Sequence, residues 1–340
     1  MPHLDNVSIS IEEDPFHIPE TVLTRYLYSK SEVIASLCMA LLDRNKDEAL
    51  FWGYELYFSG FDEETFGILS QIYESYYRLV NPKLASYLWR MTMEWNDDRT
   101  LHHILGSIIV NMIFRQASLI SVLVQREIDV YHANAELTDE LELIDYIMNG
   151  AVIPDEKRIR IMFTVSDIEP YVNPVHEKGK GWKILRERCR YTPRRYAIDI
   201  MASIPIPLTI NDTVVMQSII SGIDLNCVSG TDILQNWTYF ASFSPVWRER
   251  LREFGGKQNH ETMMIEFSDD ELFEQFHCLY GYEPDEQDGS VIDKYLNRSE
   301  KPQQMKWNEF CGRYHTSVIK IAPIKIRHPS HKIDEQIMAV

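Results

Sequence analysis

The sequence predicts a mostly α-helical protein, in which an N-terminal antiparallel helical array is followed by a C-terminal portion of mixed α+β structure. Apolar residues recur at helical spacing through residues 30–116, and only short turns interrupt them, which indicates antiparallel neighbours. In the second half, helical and strand-like periods alternate. The array is HEAT-like only by analogy of architecture, because the chain contains no strict internal repeat.

The first two predicted helices have the most distinctive sequences. Ser29 and Glu32 have the spacing of a capping box, and Val33 opens the apolar face that follows. The second helix lies in DEALFWGYELYFSGF, residues 47–61, whose aromatic side chains fall on all faces of a helix. We therefore expect these rings to be core rather than a platform for stacking bases, which would present them among cations. The small Gly53 predicts close approach of a partner helix.

Three further helices are predicted after this aromatic run. Asp62 is a natural cap for the first, Asn81 and Pro82 end it, and Asp97 precedes the last. Each helix has apolar residues at spacings of three and four, which gives it one face for a core. These residues are Phe66, Leu69, Tyr73, Tyr76 and Val80; Leu84, Leu88, Met91 and Trp95; and Leu101, Leu105, Ile108 and Met112.

The same patterns divide the chain into three regions. Residues 1–28 are predicted to form an extended N-terminal arm, because Pro15 and Pro19 break the chain there. Residues 29–150 form the helical domain, and residues 151–340 form the mixed α+β domain.

Within the last region, we expect a basic excursion at 177–196 and an extended C-terminal tail. The regular elements predicted there are a strand at 158–165, a hairpin at 208–216, a helix that starts at Ser244-Pro245, a short strand or extended segment at 261–267 and a helix that starts at 268–270.

Composition excludes several classes of protein. A hydrophobic content of 45% and a charged content of 25% are typical of an ordered globular chain, and a net charge of -17 argues against a general nucleic-acid-binding surface.

The five separated cysteines favour free thiols in a reducing compartment. We expect no membrane partner, because Arg115 and other polar residues interrupt the most apolar stretch, 104–124, and the N-terminus lacks the pattern of a signal peptide.

Motifs that carry chemistry are missing from the sequence. It contains neither a GxxxxGK[ST] phosphate loop nor a GxSxG nucleophile turn, His102 and His103 lack HExxH spacing, and the acidic stretch 281–289 lacks the ligand spacing of an EF-hand. We therefore predict a protein that is not an enzyme, with no catalytic residue, no metal site and no cofactor.

The segment 177–196 is the most anomalous feature of this acidic chain. Basic side chains alternate in it with aromatic rings, which is a composition suited to phosphate contacts and base stacking. An equally physical alternative is docking on an acidic face, either of a partner or of the same molecule, for example at 138–145. The candidate contact residues are Lys178, Lys180, Trp182, Lys183, Arg186, Arg188, Arg190, Arg194 and Arg195.

A second candidate site lies at the start of the first helix. Tyr28, Val33 and Ile34 resemble the Tyr-x4-Leu-hydrophobic helix by which translation-initiation scaffolds bind the cap-binding protein, with valine in place of leucine. The alternative is that Tyr28 and Val33 simply pack at the entry of the helix.

Three stretches of the sequence are distinctive: residues 29–61, residues 236–251, which read NWTYFASFSPVWRERL, and residues 276–287, which read FHCLYGYEPDEQ. These stretches resemble a family of proteins encoded by giant (nucleocytoplasmic large) DNA viruses. The resemblance implies viral origin and a setting in the host cytoplasm or viral factory.

We therefore predict a non-enzymatic viral scaffold or adaptor that binds other proteins, in a translation-initiation-like or other viral-factory complex. Two alternatives stay open. One is a structural component of the virion, as a minor capsid or core protein, and the other is a nucleic-acid-associated factor that acts through residues 177–196.

Overall fold

Helices dominate the fold, as the sequence predicts. A computed structural model describes residues 22–78, 80–119, 163–172, 191–194, 230–280 and 305–314. These residues contain eleven helices and one two-stranded sheet. The helices are α1 Lys30–Leu42, α2 Lys46–Tyr57, α3 Asp62–Tyr76, α4 Leu84–Asp97, α5 His103–Ile113, α6 Val165–Val172, α7 Gly230–Gln235, α8 Trp237–Ala241, α9 Pro245–Glu253, α10 Asp270–Tyr280 and α11 Trp307–Tyr314. The strands are β1 Lys257–Asn259 and β2 Met264–Glu266.

The predicted array of five helices is confirmed as α1 to α5. Its tightest connection is the turn between α1 and α2, where Arg44 adopts a φ of 58° and the Asn45 side chain accepts a hydrogen bond from the Glu48 amide. Arg44 also donates hydrogen bonds of 3.0 Å to the carbonyl oxygens of Ile113 and Phe114, so it caps the C-terminus of α5.

Helix α2 lies at the centre of this array. Trp52 and Tyr54 are fully buried, which confirms that the aromatic run is core. Gly53 faces α5, where a Cβ atom would collide with the Ile109 side chain, so the prediction of close helix approach is also confirmed.

The described end of the predicted N-terminal arm is not extended. Residues 23–28 are buried in a tight turn that a bridge between Leu23 and Ser29 closes. The indole N–H of Trp247 donates to the Thr24 carbonyl oxygen over 3.1 Å. An apolar turn of this composition gains more by burial against both halves of the chain than by lying in solvent.

In the described C-terminal residues the helices pack against one another through Trp237, Trp247 and Phe276, and a small antiparallel hairpin lies largely exposed beside them. Helix α9 starts with Ser244 at its N-cap and Pro245 in its first turn, as predicted, and Gln258 pairs with Ile265 across the hairpin. Trp237, Trp247 and the other buried residues there belong to the same hydrophobic core as α1 to α5.

Several predicted elements lie partly or wholly outside the described residues. They are the first 21 residues, the strand at 158–165 except for its last three residues, most of 177–196, the hairpin at 208–216 and the C-terminal tail. The prediction of a strand is wrong for those three described residues, since none is in a strand and Val165 begins α6. Among the described helices, none combines the length and the apolar composition that crossing a membrane requires.

Candidate functional site

A network of charged side chains forms around the turn between α1 and α2. Asp43 follows α1 and Glu48 lies in the first turn of α2; both accept from Arg194, and Asp43 also accepts from Arg313 and Tyr314. We call these five residues the Asp43 cluster. It joins three segments of the chain that are far apart in sequence.

Arg194 is the central cation of the Asp43 cluster. Its Nε lies 2.8 Å from Glu48 Oε1 and its second terminal nitrogen lies 2.6 Å from Oε2, which is a two-point ion pair. Its backbone amide donates to Ser36 Oγ over 2.7 Å. Burial acts to lower the pKa of Arg194, but the hydrogen bonds to Glu48 and Asp43 outweigh it and raise that pKa. The guanidinium is therefore held as a permanent charge.

Glu48 and Asp43 accept further hydrogen bonds as well. The Trp52 indole and the Asn45 amide donate to Glu48 over 3.2 and 2.9 Å. The Tyr314 hydroxyl donates to Asp43 over 2.8 Å, and burial together with this carboxylate raises the pKa of Tyr314. The role that these contacts give the Asp43 cluster is therefore structural, because its ion pairs hold three segments of the chain together.

The candidate contact residues of segment 177–196 divide into one that the structure describes and eight that it does not. Arg194 docks on an acidic face of the same molecule, as the docking interpretation expects for it. The residues outside the described ranges are Lys178, Lys180, Trp182, Lys183, Arg186, Arg188, Arg190 and Arg195, as is the acidic stretch 138–145.

The second candidate site faces the core. Tyr28 and Val33 are buried and Ile34 is half-buried, and the Tyr28 ring packs edge-on against Trp52 at 5.0 Å between centroids. The Tyr28 hydroxyl donates to the Tyr191 carbonyl oxygen over 3.3 Å. This placement favours the packing interpretation of the motif.

A buried ion pair holds the N-terminal turn against α2. Arg25 Nε lies 2.9 Å from Glu55 Oε2, and the Tyr26 amide donates to the other carboxylate oxygen over 3.0 Å. Burial raises the pKa of Glu55, while the charge of Arg25 acts in the opposite direction. Arg25 also donates to the carbonyl oxygens of Tyr171 and Val172 at the end of α6, so the pair joins three segments.

His102 takes part in a defined hydrogen-bond network. The Tyr57 hydroxyl lies 2.9 Å from His102 Nδ1 and accepts from the Trp95 indole over 2.8 Å. Burial and the neighbouring His103 lower the pKa of His102. Across the described ranges, no three histidine, cysteine, aspartate or glutamate side chains converge as metal ligands would.

The outer face of α4 carries an apolar pair that the sequence analysis missed. Trp89 is 69% exposed and Met93 is 42% exposed, and they lie one turn apart. A signal was available, because these residues form a second stripe beside the core stripe of Leu88, Met91 and Trp95. We call Trp89 and Met93 the α4 face.

A second apolar patch lies at the tip of the hairpin. Met263 and Met264 are 40% and 52% exposed, and Met263 adopts a φ of 53° in the turn. A nearby cavity of about 330 Å³ is lined by Arg248, Arg252 and Lys257 among others. Its charge does not define an anion site, because Arg248 Nε already donates to the carbonyl oxygen of Ser242 and Lys257 lies opposite Glu266 in the hairpin.

Comparison of the chain with protein-family models, with curated proteins and with solved structures gives no match. The HEAT-like analogy and the resemblance to viral proteins therefore stay predictions.

Proposed function

We propose that this chain is a non-enzymatic adaptor that binds proteins through two apolar surfaces, the α4 face and the hairpin tip. The observation that carries this proposal is the grouping of exposed large apolar side chains on these two elements, Trp89 with Met93 and Met263 with Met264. An adaptor requires at least two contact surfaces, and tryptophan and methionine are enriched in the cores of protein interfaces.

The expected gain on binding is sufficient for a specific contact. Covering the exposed 69% of Trp89 would remove well over 100 Å² of apolar surface from water. At about 25 cal/mol per Å², this amounts to about 3 kcal/mol for this one side chain. Methionine also suits such a contact, because its flexible thioether adapts to irregular partners.

The position of Arg194 bears on the nucleic-acid alternative for this one candidate residue. Its guanidinium is committed to Asp43 and Glu48, so it is not displayed for phosphate. Charge reversal of Arg186, Arg188 and Arg190 should abolish nucleic-acid binding if the alternative holds. Viral origin and a viral-factory or virion location rest on the resemblance to viral proteins. A role in a translation-initiation-like complex rests on the motif of Tyr28, Val33 and Ile34.

Site-specific photo-crosslinking in the producing cell tests the proposal. A photoreactive amino acid is placed in turn at Trp89, at Met264 and, as a control, at the exposed polar Ser70 of α3. We expect adducts with other proteins from at least one of the two apolar surfaces and none from position 70. If positions 89 and 264 form no adduct with any protein other than this chain, the proposed function is wrong.

A further inference from the structure

The charges on the exposed side of α4 are separated by sign along the helix. Lys83 precedes the first turn and Arg90 follows Trp89, whereas Glu94 and Asp97 lie in the C-terminal half; all four are exposed. Within the described ranges, none of the four has an oppositely charged group within ion-pair distance, since Arg99 of the following loop pairs with Asp62 and Glu63 instead.

This arrangement opposes the dipole of the helix itself. A helix is stabilised by acidic residues at its N-terminus and by basic residues at its C-terminus. Helix α4 has no acidic residue in its first turn and no basic residue in its last turn, with Lys83 at the N-cap and Asp97 as its last residue. Stability of the isolated helix therefore does not explain this pattern of charges.

We propose that the α4 face binds the α4 face of a second copy of this chain, with the two helices antiparallel across a two-fold axis. This inference rests on the proposed function, because it assigns an occupant to one of the two adaptor surfaces. The hairpin tip is then left for a different protein.

An antiparallel second copy satisfies every feature of this surface. With the axis midway between Trp89 and Met93, each indole lies opposite the methionine of the other copy, which favours a sulfur–aromatic contact. The basic half of each helix, with Lys83 and Arg90, lies opposite the acidic half of the other, with Glu94 and Asp97. The helix dipoles also oppose each other.

Other occupants satisfy fewer of these features. A parallel copy would place like charges opposite each other, and a uniformly acidic or basic partner would be repelled by one half of the helix. Only a partner with the reverse order of charges fits, and a two-fold axis provides that order automatically.

The size of the surface limits the affinity. A helix of 14 residues is about 21 Å long, so a contact limited to α4 covers less than the roughly 800 Å² per partner of a standard interface. We therefore expect a dimer that dissociates in the micromolar range.

Sedimentation equilibrium of the full chain over a range of concentrations tests the proposal. We expect a monomer–dimer equilibrium, with a dissociation constant raised at least about 100-fold in the variant Trp89→Ala, because each dimer loses two central aromatic anchors. The variant Leu279→Ala, which changes an exposed apolar side chain of α10 outside both proposed surfaces, should dimerise like the unchanged protein.

Charge reversal supplies a second test, because a variant that fails to fold could not regain dimerisation when a compensating charge is added. Lys83→Glu and Asp97→Lys should each weaken the dimer about threefold to tenfold, although each improves the match between charge and dipole within one helix. The double variant should restore the original dissociation constant. Lys83 and Asp97 are about 21 Å apart along one helix, so they compensate each other only between copies.

The outcomes separate the two proposals. A chain that stays monomeric at high concentration overturns the antiparallel pairing, whether position 89 forms adducts with another protein or with a different segment of this chain. A double charge variant that is weaker than both single variants overturns it as well. A dimer that passes these tests but forms no adduct with another protein at position 264 would leave the pairing standing and remove the adaptor function.

Discussion

Arg194 and Arg78 show how the surroundings of an ion pair decide its contribution to stability. Each pairs with a glutamate, but the Arg194 side chain is 13% exposed and that of its partner Glu48 is 7% exposed. Arg78 is 53% exposed and pairs with Glu74 one turn away on α3. The first pair joins distant segments of the chain, whereas the second joins two neighbouring side chains on the surface.

The variant Arg194→Ala should therefore lower the free energy of unfolding by about 2 to 4 kcal/mol, because it leaves the buried Glu48 carboxylate without its cation, whereas Asp43 keeps Arg313 and Tyr314. The matched variant Arg78→Ala should cost less than about 0.5 kcal/mol. Urea denaturation measures both values. Equal losses would mean that the Asp43 cluster contributes no more than a surface pair.

His102 should report its burial directly. Its folded-state pKa is lowered by burial and by His103, against the opposing charges of Asp62 and Asp98. The unfolded chain therefore binds the proton more tightly than the folded chain. The stability that neutral His102 contributes is fully present above about pH 6.5 and is lost as the pH falls through the lowered folded-state pKa. NMR titration of the His102 ring should give a midpoint below that of a free histidine. A midpoint at or above that of a free histidine would show that burial does not lower this pKa.

At the scale of elements, the five helices of the array could be predicted because their signals are local. Caps, turns and apolar spacing lie within a few residues of each other, as at Asn45 before α2 and Ser244 before α9. The docking of Arg194 on Asp43 could not be located, because the two residues are 151 positions apart. For the α4 face, the sequence shows two apolar stripes but does not show which one lacks a neighbour, so the signal alone does not identify the exposed stripe.

Two glycines test the helix contacts. A Cβ atom at Gly106 of α5 would lie 2.7 Å from the Tyr54 hydroxyl and would also strike the Phe163 ring, whereas one at Gly67 of α3 meets nothing within 4 Å. Gly106→Ala should therefore destabilise the protein by about 1 to 3 kcal/mol through overpacking. Gly67→Ala should stabilise it by about 0.5 to 1 kcal/mol through helix propensity. Thermal and urea unfolding of the two variants should move in opposite directions.

At the scale of the whole molecule, one hydrophobic core crosses the boundary that the sequence places near residue 150. The turn at 23–28 links α2 to α8 and α9, since Arg25 pairs with Glu55 and the Leu23 amide donates to the Phe240 carbonyl oxygen. The Trp247 indole of α9 donates to the Thr24 carbonyl oxygen of the same turn. Local periodicity contains no information about such contacts. A shared core predicts joint unfolding of both halves.

We therefore expect a single cooperative unfolding transition for the described core. Far-ultraviolet circular dichroism follows the helices of the whole chain, and tryptophan fluorescence follows Trp52 in one half and Trp237 and Trp247 in the other. The two probes should give the same midpoint in urea. Separate midpoints would show that the halves fold independently.

Oxidative footprinting of native assemblies purified from producing cells most directly tests whether the α4 face is covered by protein. We expect Trp89 and Met93 to resist oxidation in the assembly and to become reactive after dissociation by dilution, in keeping with their exposure of 69% and 42% in the single chain. Equal and rapid oxidation of both residues in the assembly and in the dissociated chain would show that this surface contacts only solvent, which contradicts the proposed role of α4.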